Sequence, residues 1–205
     1  MLFETYRASV DAFVAANREN VIRDIKRLVD VPSVEGAEPG KPFGPGPAAA
    51  LAQGLAIAGE MGLATHNCEN YIGWAELKGG SAAQIATITH LDVVPQGNGW
   101  TADPFDMQVK DGWLDKGPSV LCLYALKFLK EQGVPLKYTV RALLGANEET
   151  GMKDVDYYLE HYEAPAFCFS PDAEFPVCNG EKGGFNGELV SNPLAGNLLE
   201  FEGGV

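Results

Sequence analysis

Apolar residues at Val10, Phe13, Val14, Val21, Ile22, Ile25 and Leu28 recur at mostly three- and four-residue steps over residues 3–29. That is the period of one helix face, and Pro32 sets the limit of the helix. Four glycines and four prolines between Glu35 and Pro47 require a loop, and the alanine-rich run Ala48 to Met61 predicts a second helix with Gly62 as its stop. Two strand candidates follow, Tyr71 to Leu77 and Gln84 to Thr89, separated by the turn residues of KGGS. Beyond a Gly- and Pro-rich loop, the pattern predicts a helix over Pro118 to Gln132 ended by Gly133 and a strand over Tyr138 to Leu144. A helix over Met152 to Tyr162 and a short strand over Ala166 to Ser170 complete it. Strands that alternate with helices define an α/β class, with a mixed, largely parallel sheet flanked by helices.

At 205 residues and 46% hydrophobic content, the chain is long enough to bury the core of one main domain. Fifteen basic residues against 28 acidic ones, the latter scattered rather than gathered in a tail, leave a net charge of −13. Such a surface repels phosphate backbones, so no nucleic acid partner is expected. The N-terminal residues carry Glu4 and Asp11 without a basic leader region, and nowhere do about 18 apolar residues run together. A soluble, cytoplasmic protein with no membrane partner is the expectation, and the oligomeric state is not legible. Cys68, Cys122, Cys168 and Cys178 show no metal-type CxxC spacing, and the last three sit in apolar segments like small core residues.

Three polar clusters lie just beyond predicted strands, where α/β sheets gather functional groups. In Thr89-His90-Leu91-Asp92, extended backbone turns His90 and Asp92 to one side and Leu91 to the other. The pair suits a metal-bound histidine with a supporting carboxylate, and equally a buried structural histidine. In Asn147-Glu148-Glu149-Thr150-Gly151, adjacent carboxylates repel unless a cation or a shared proton intervenes. They suit one metal ligand beside one water-activating base, and equally an acidic helix start. Asp172, in Ser170-Pro171-Asp172, reads as a ligand or as a turn residue. Together, the three strand ends supply the imidazole and carboxylate donors of which zinc hydrolase sites are made.

The order HLDVVP, DGW, DKGPS, NEETG, SPDAEFP and NGEKG resembles the metallopeptidase family of aminoacylase, carboxypeptidase G, succinyl-diaminopimelate desuccinylase and carnosinase, and within it the PepV-type dipeptidases. The resemblance spans nearly the whole chain and is most specific over residues 86–183. It implies a zinc-peptidase-like catalytic domain that hydrolyses dipeptides with water activated between two zinc ions. It makes His90 and Asp172 ligands of one zinc and Glu149 a ligand of the other. Glu148 becomes the general base, and Asp92 the carboxylate that supports His90. Asp rather than Glu at 172 is similar to the dipeptidase branch; the alternatives are an N-acyl amino acid amidohydrolase of the same family or a non-catalytic relative lacking metals.

Two departures stand out. The family's metal-bridging aspartate falls two places before the lysine of an Asp-x-Lys-Gly motif, and here that place, two before Lys116, is Leu114, followed by Asp115. The family also takes a second-metal histidine from far downstream, beyond an inserted lid domain, and this sequence holds neither. His66 and His161 match no motif and are expected at the surface. Residues 1–190 therefore read as the N-terminal portion of the catalytic domain, with 191–205 as a tail leading toward the lid or dimerisation domain. The chain by itself is expected to be incomplete and inactive.

Overall fold

The three- and four-residue apolar spacing of the N-terminal segment produces the long helix α1 (Leu2–Val29) in the computed structural model, which describes residues 2–107, 117–172, 178 and 180. Ile25, Leu28 and Val29 are buried at its C-terminal end. The second helix, α2 (Pro45–Glu60), starts three residues before the predicted Ala48, because Pro45 and Pro47 occupy its first turn. There the missing N–H has no helical partner to lose, and the fixed φ of proline suits the helix. Gly62 ends it with a φ of +69°.

Pattern analysis did not find the next element. Strand β1 (Ala64–Cys68) is exposed at every position but Cys68, so it carries no apolar alternation to read. It pairs antiparallel with β2 (Ile72–Leu77) through a tight turn in which Glu69 and Asn70 both take positive φ and the Tyr71 N–H donates to the Cys68 carbonyl at 2.9 Å. His66 thus lies on a strand, and it is exposed as expected.

The remaining elements are β3 (Ser81–His90), α3 (Gly117–Glu131), β4 (Tyr138–Gly145), α4 (Lys153–His161) and β5 (Phe167–Phe169). They complete a mixed five-stranded sheet in the order β1-β2-β4-β3-β5. β4 pairs antiparallel with β2 and parallel with β3, and β3 pairs parallel with β5 on its other side. The strands flanking KGGS are therefore not neighbours, since β4 lies between them. Its nearly continuous apolar run is the signature of a strand buried on both faces. Ala142 and Leu144 pack with α1, α2 and α3, whereas Leu143 turns the other way, toward Trp74 and Tyr158 of α4. α3 and α4 thus cover opposite faces, and the three parallel strands end along one edge with β3 in the middle, the point at which the chain reverses its progress across the sheet.

A buried ion pair ties the second face together. Glu76 and Arg141 are register partners on β2 and β4, and the Nε and Nη2 of Arg141 donate to Glu76 Oε2 at 3.0 and 2.6 Å. The Arg141 Nη1 donates to the Tyr158 hydroxyl at 2.8 Å, and the guanidinium lies 4.0 Å from the Trp74 ring, so one cation fixes α4 against the sheet.

The cysteine expectation needs correction: Cys68 and Cys122 are buried, but Cys168 and Cys178 are exposed. Cys168 lies on β5 at the edge of the sheet, where Phe167 and Phe169 also keep about half of their surface accessible. No helix among the described residues is long and apolar enough to cross a membrane. Met1–Asp172 forms one compact unit. The tail from 191 lies outside the described residues, as do Leu114, Asp115, Lys116 and the NGEKG segment apart from Gly180.

Candidate metal centre

His90 is the last residue of β3, and the chain around it is tied down on every side. The Leu91 N–H donates to the Gly145 carbonyl at the end of β4 (3.0 Å), and the fully buried Leu91 side chain faces the core. Ser33 Oγ donates to the Leu91 carbonyl at 2.7 Å, Ser119 Oγ donates to the His90 carbonyl at 2.9 Å, and the Val93 N–H donates to the Ser33 carbonyl at 3.2 Å. Alternation then sends the side chains of His90 and Asp92 to the opposite side from Leu91.

The imidazole stands among four oxygens. Its Nδ1 lies 2.9 Å from the main-chain carbonyl of Asp92 and 3.4 Å from the Asp92 carboxylate. Donation of Nδ1–H to that carbonyl leaves Nε2 directed at Asp172 Oδ2, 3.1 Å away, and Glu148 Oε2, 3.8 Å away. The Asp92 carboxylate is buried and grips the acidic loop instead, with its two oxygens accepting the Glu148 and Glu149 N–H groups at 3.1 Å each. One residue therefore joins the end of β3 to the loop after β4. His90, Glu148 and Glu149 offer ligand atoms that lie within 4.8 Å of one another. Asp172, just past β5, completes a set drawn from three adjacent parallel strands.

Electrostatics follow from this crowding. Burial pushes the His90 pKa down, but the Asp92 hydrogen bond and the charges of Asp92, Asp172 and Glu148 outweigh it and lift the group to about 9. Burial also raises Glu148, His90 opposes that rise, and the neighbouring charges of Glu149, Asp92 and Asp172 add to it. Asp92 moves the other way, because its hydrogen bonds with His90 and the two loop amides overcome the cost of burial.

The donor set fits a divalent cation. One imidazole nitrogen and three partly exposed carboxylates are hard or borderline donors, and their mutual repulsion is what a cation relieves. The 3.1 Å between His90 Nε2 and Asp172 Oδ2 is close to the roughly 3.3 Å that separates two ligands of one tetrahedral zinc with bonds near 2.0 Å. Beside these groups a cleft of about 360 Å³ is walled by Val94, Pro95, Trp100, Pro104 and Phe105.

The structure thus brings together all five residues singled out from the sequence. It leaves His66 and His161 apart, stacked on Trp74 and Tyr157 respectively. Sequence reasoning missed Ser33, Ser119 and Asp154, which position the two loops through main-chain contacts. Serine and aspartate in loops and first helical turns are too common to signal such a role, although Asp154 could have been noticed as the acidic residue that follows NEETG at a helix start.

Comparison with known proteins adds a family. Residues 86–193, more than half of the chain, match the model of peptidase family M20/M25/M40. The chain is 39% identical over 185 aligned positions to the beta-Ala-Xaa dipeptidase of Lactobacillus delbrueckii subsp. lactis, with 85% of this chain and 39% of that protein covered. It is 37% identical over 187 residues to YtjP of Bacillus subtilis, provisionally named a dipeptidase, with 86% of this chain and 40% of YtjP covered. The chain therefore spans about 40% of the length of these relatives. Among solved structures, human carnosine dipeptidase 1 shares the fold with a TM-score of 0.62 at 18% identity, over 76% of this chain and 37% of that one. The Bacillus subtilis YXEP protein, described as a dinuclear metal binding peptidase, matches with a TM-score of 0.55 at 18% identity over 76% of this chain and 43% of that one.

Proposed function

The chain belongs to peptidase family M20/M25/M40, and from that premise we propose that it carries the metal-binding strand ends of a dipeptidase that works with two zinc ions. One observation carries the reading: His90, Glu149 and Asp172 come from three adjacent parallel strands to line one cleft, and Glu148 Oε2 stands 3.8 Å from His90 Nε2 beside it. The names of the similar dipeptidases support dipeptides as the substrate class.

In this reading His90 and Asp172 hold one zinc and Glu149 contributes to the other. Bound zinc supplies a water of lowered pKa and polarises the scissile carbonyl. Glu148 accepts the proton of the attacking water at its carboxylate and returns it to the leaving nitrogen, a role suited to a carboxyl whose pKa is already raised by burial and like charges. Asp92 keeps the His90 ring oriented through its carbonyl and holds Glu148 and Glu149 at the cleft through their amides. Trp100, Pro104 and Phe105 give the same cleft apolar walls.

A bridging carboxylate is missing at position 114, so the 205-residue chain by itself is expected to bind zinc weakly and to leave dipeptides intact. Zinc titration of the chain, with a panel of β-alanyl and α-dipeptides set against N-acyl amino acids, tests the reading. Zinc affinity that falls on removal of His90 or Asp172 supports it. Two tightly held ions with turnover in the isolated chain would overturn the assignment of ligands, and deacylation in place of dipeptide hydrolysis would overturn the substrate class.

A further inference from the structure

Four consecutive main-chain amides, 146 to 149, are held by two buried carboxylates. Asp92 takes the amides of Glu148 and Glu149. Asp154, in the first turn of α4, takes the other two: its Oδ2 accepts from the Ala146 and Asn147 N–H groups at 2.8 and 3.1 Å, while its Oδ1 accepts from the Val155 N–H at 2.8 Å. Only 1% of Asp154 is exposed. Glycine at 145 makes the approach possible, since a Cβ there would stand 2.5 Å from Asp154 Oδ2.

The bond to the Val155 N–H stays within the first turn of α4. The bonds to Ala146 and Asn147 reach back eight and seven residues, past the turn, into the stretch that enters the acidic pair. Asn147 reinforces the same stretch, with its Oδ1 accepting the Lys153 N–H at 3.1 Å and its carbonyl accepting the Met152 N–H at 2.7 Å. Three inward-pointing N–H groups need an acceptor with no donor of its own, which among side chains of this length only a carboxylate provides. With its first two amides held by Asp154 and its last two by Asp92, the loop has one main-chain path, and the directions of the Glu148 and Glu149 side chains follow from it.

We propose that Asp154 is a positioning residue that sets the placement of Glu148 and Glu149 for metal and water. The proposal rests on the reading of those two glutamates given above, and it assigns Asp154 no contact with substrate or metal.

Two measurements test it. Hydrogen exchange on the unaltered, metal-free chain needs no variant to fold. The amides of residues 146–149 should exchange as slowly as those of β4, and exchange at the rate of an unprotected peptide would overturn the clamp. Zinc titration then reads its consequence. Asp154→Asn should weaken zinc binding 10- to 100-fold, the range expected for groups that support a ligand from behind. Added to Glu149→Gln, the same substitution should cause little further loss, because both act through one loop. A merely structural role would lower affinity in the Glu149→Gln background as much as in the parent, and that outcome would overturn positioning. Unchanged affinity in Asp154→Asn beside a clear loss in Glu149→Gln would overturn positioning alone. Unchanged affinity in Glu149→Gln would overturn the reading of that residue as a metal ligand, and this proposal with it.

Discussion

His90 Nε2 and Asp172 Oδ2 stand 3.1 Å apart although they are 82 positions apart in the numbering, because β3 and β5 are parallel neighbours that end at the same edge of the sheet. If the pair binds one ion, Asp172→Ala removes a ligand and leaves His90 to hold it alone. Zinc affinity should fall by at least tenfold, as read by calorimetric titration, while the far-ultraviolet dichroism of the sheet and helices is unchanged. Equal affinity in parent and variant would remove Asp172 from the metal set.

Glu148 is half-exposed, and burial and its acidic neighbours raise its pKa. In zinc-loaded protein competent for turnover, Glu148→Gln should lower kcat by roughly 10²–10⁴-fold with zinc still bound, as general-base removal does. Metal analysis beside dipeptide hydrolysis checks both halves, and a rate within tenfold of the parent would exclude the base role.

Asp92→Ala should act on two loops at once. It strips the acceptor from the Glu148 and Glu149 amides but keeps the main-chain carbonyl that receives His90 Nδ1–H. Zinc affinity should therefore drop roughly 10–100-fold, and the exchange of the two loop amides should accelerate. Loss of affinity with undisturbed amides would place the effect in charge alone.

Arg141→Met leaves the buried Glu76 carboxylate with only the exposed Lys78 as partner. Removing one member of a buried pair costs on the order of 3–5 kcal/mol, and urea unfolding should show a loss of that size. The double substitution Glu76→Leu with Arg141→Met should recover part of it, because no charge is then stranded.

Acid should unfold the chain through carboxylates held below their ordinary range. Burial raises the pKa values of Asp24 and Glu76, but hydrogen bonds from Arg23, Tyr124 and Arg27 in one case, and from Lys78 and Arg141 in the other, more than offset it. A depressed folded pKa contributes stability that is complete above the unfolded value and is lost as pH falls through the folded one. Melting temperature should thus decline as pH drops below about 4.5. Asp24→Asn and Glu76→Gln should each flatten that decline, and an unchanged slope in both would exclude these pairs as its source.

Local pattern carried much of this protein. The apolar spacing of α1, the alanine run of α2 and the buried strand Tyr138–Gly145 are short-range signals, and each element formed where its period predicts, shifted by a few residues at most. The candidate residues were legible for the same reason, since His90, Asp92, Glu148, Glu149 and Asp172 all sit within a few residues of a strand end. Pattern analysis passed over β1, whose exposed residues have no alternation, and misplaced Cys168, whose apolar neighbours lie on an uncovered edge. What tertiary structure alone decided is which strand ends meet. The insertion of β4 between β2 and β3 depends on pairing between residues more than 50 positions apart, such as Ile85 with Val140, and no local propensity encodes that choice. The same holds for the two carboxylates behind the acidic loop: Asp92 and Asp154 become its clamp only because sheet register brings the end of β3 beside that of β4 and α4 folds back over them, leaving buried N–H groups that must find acceptors.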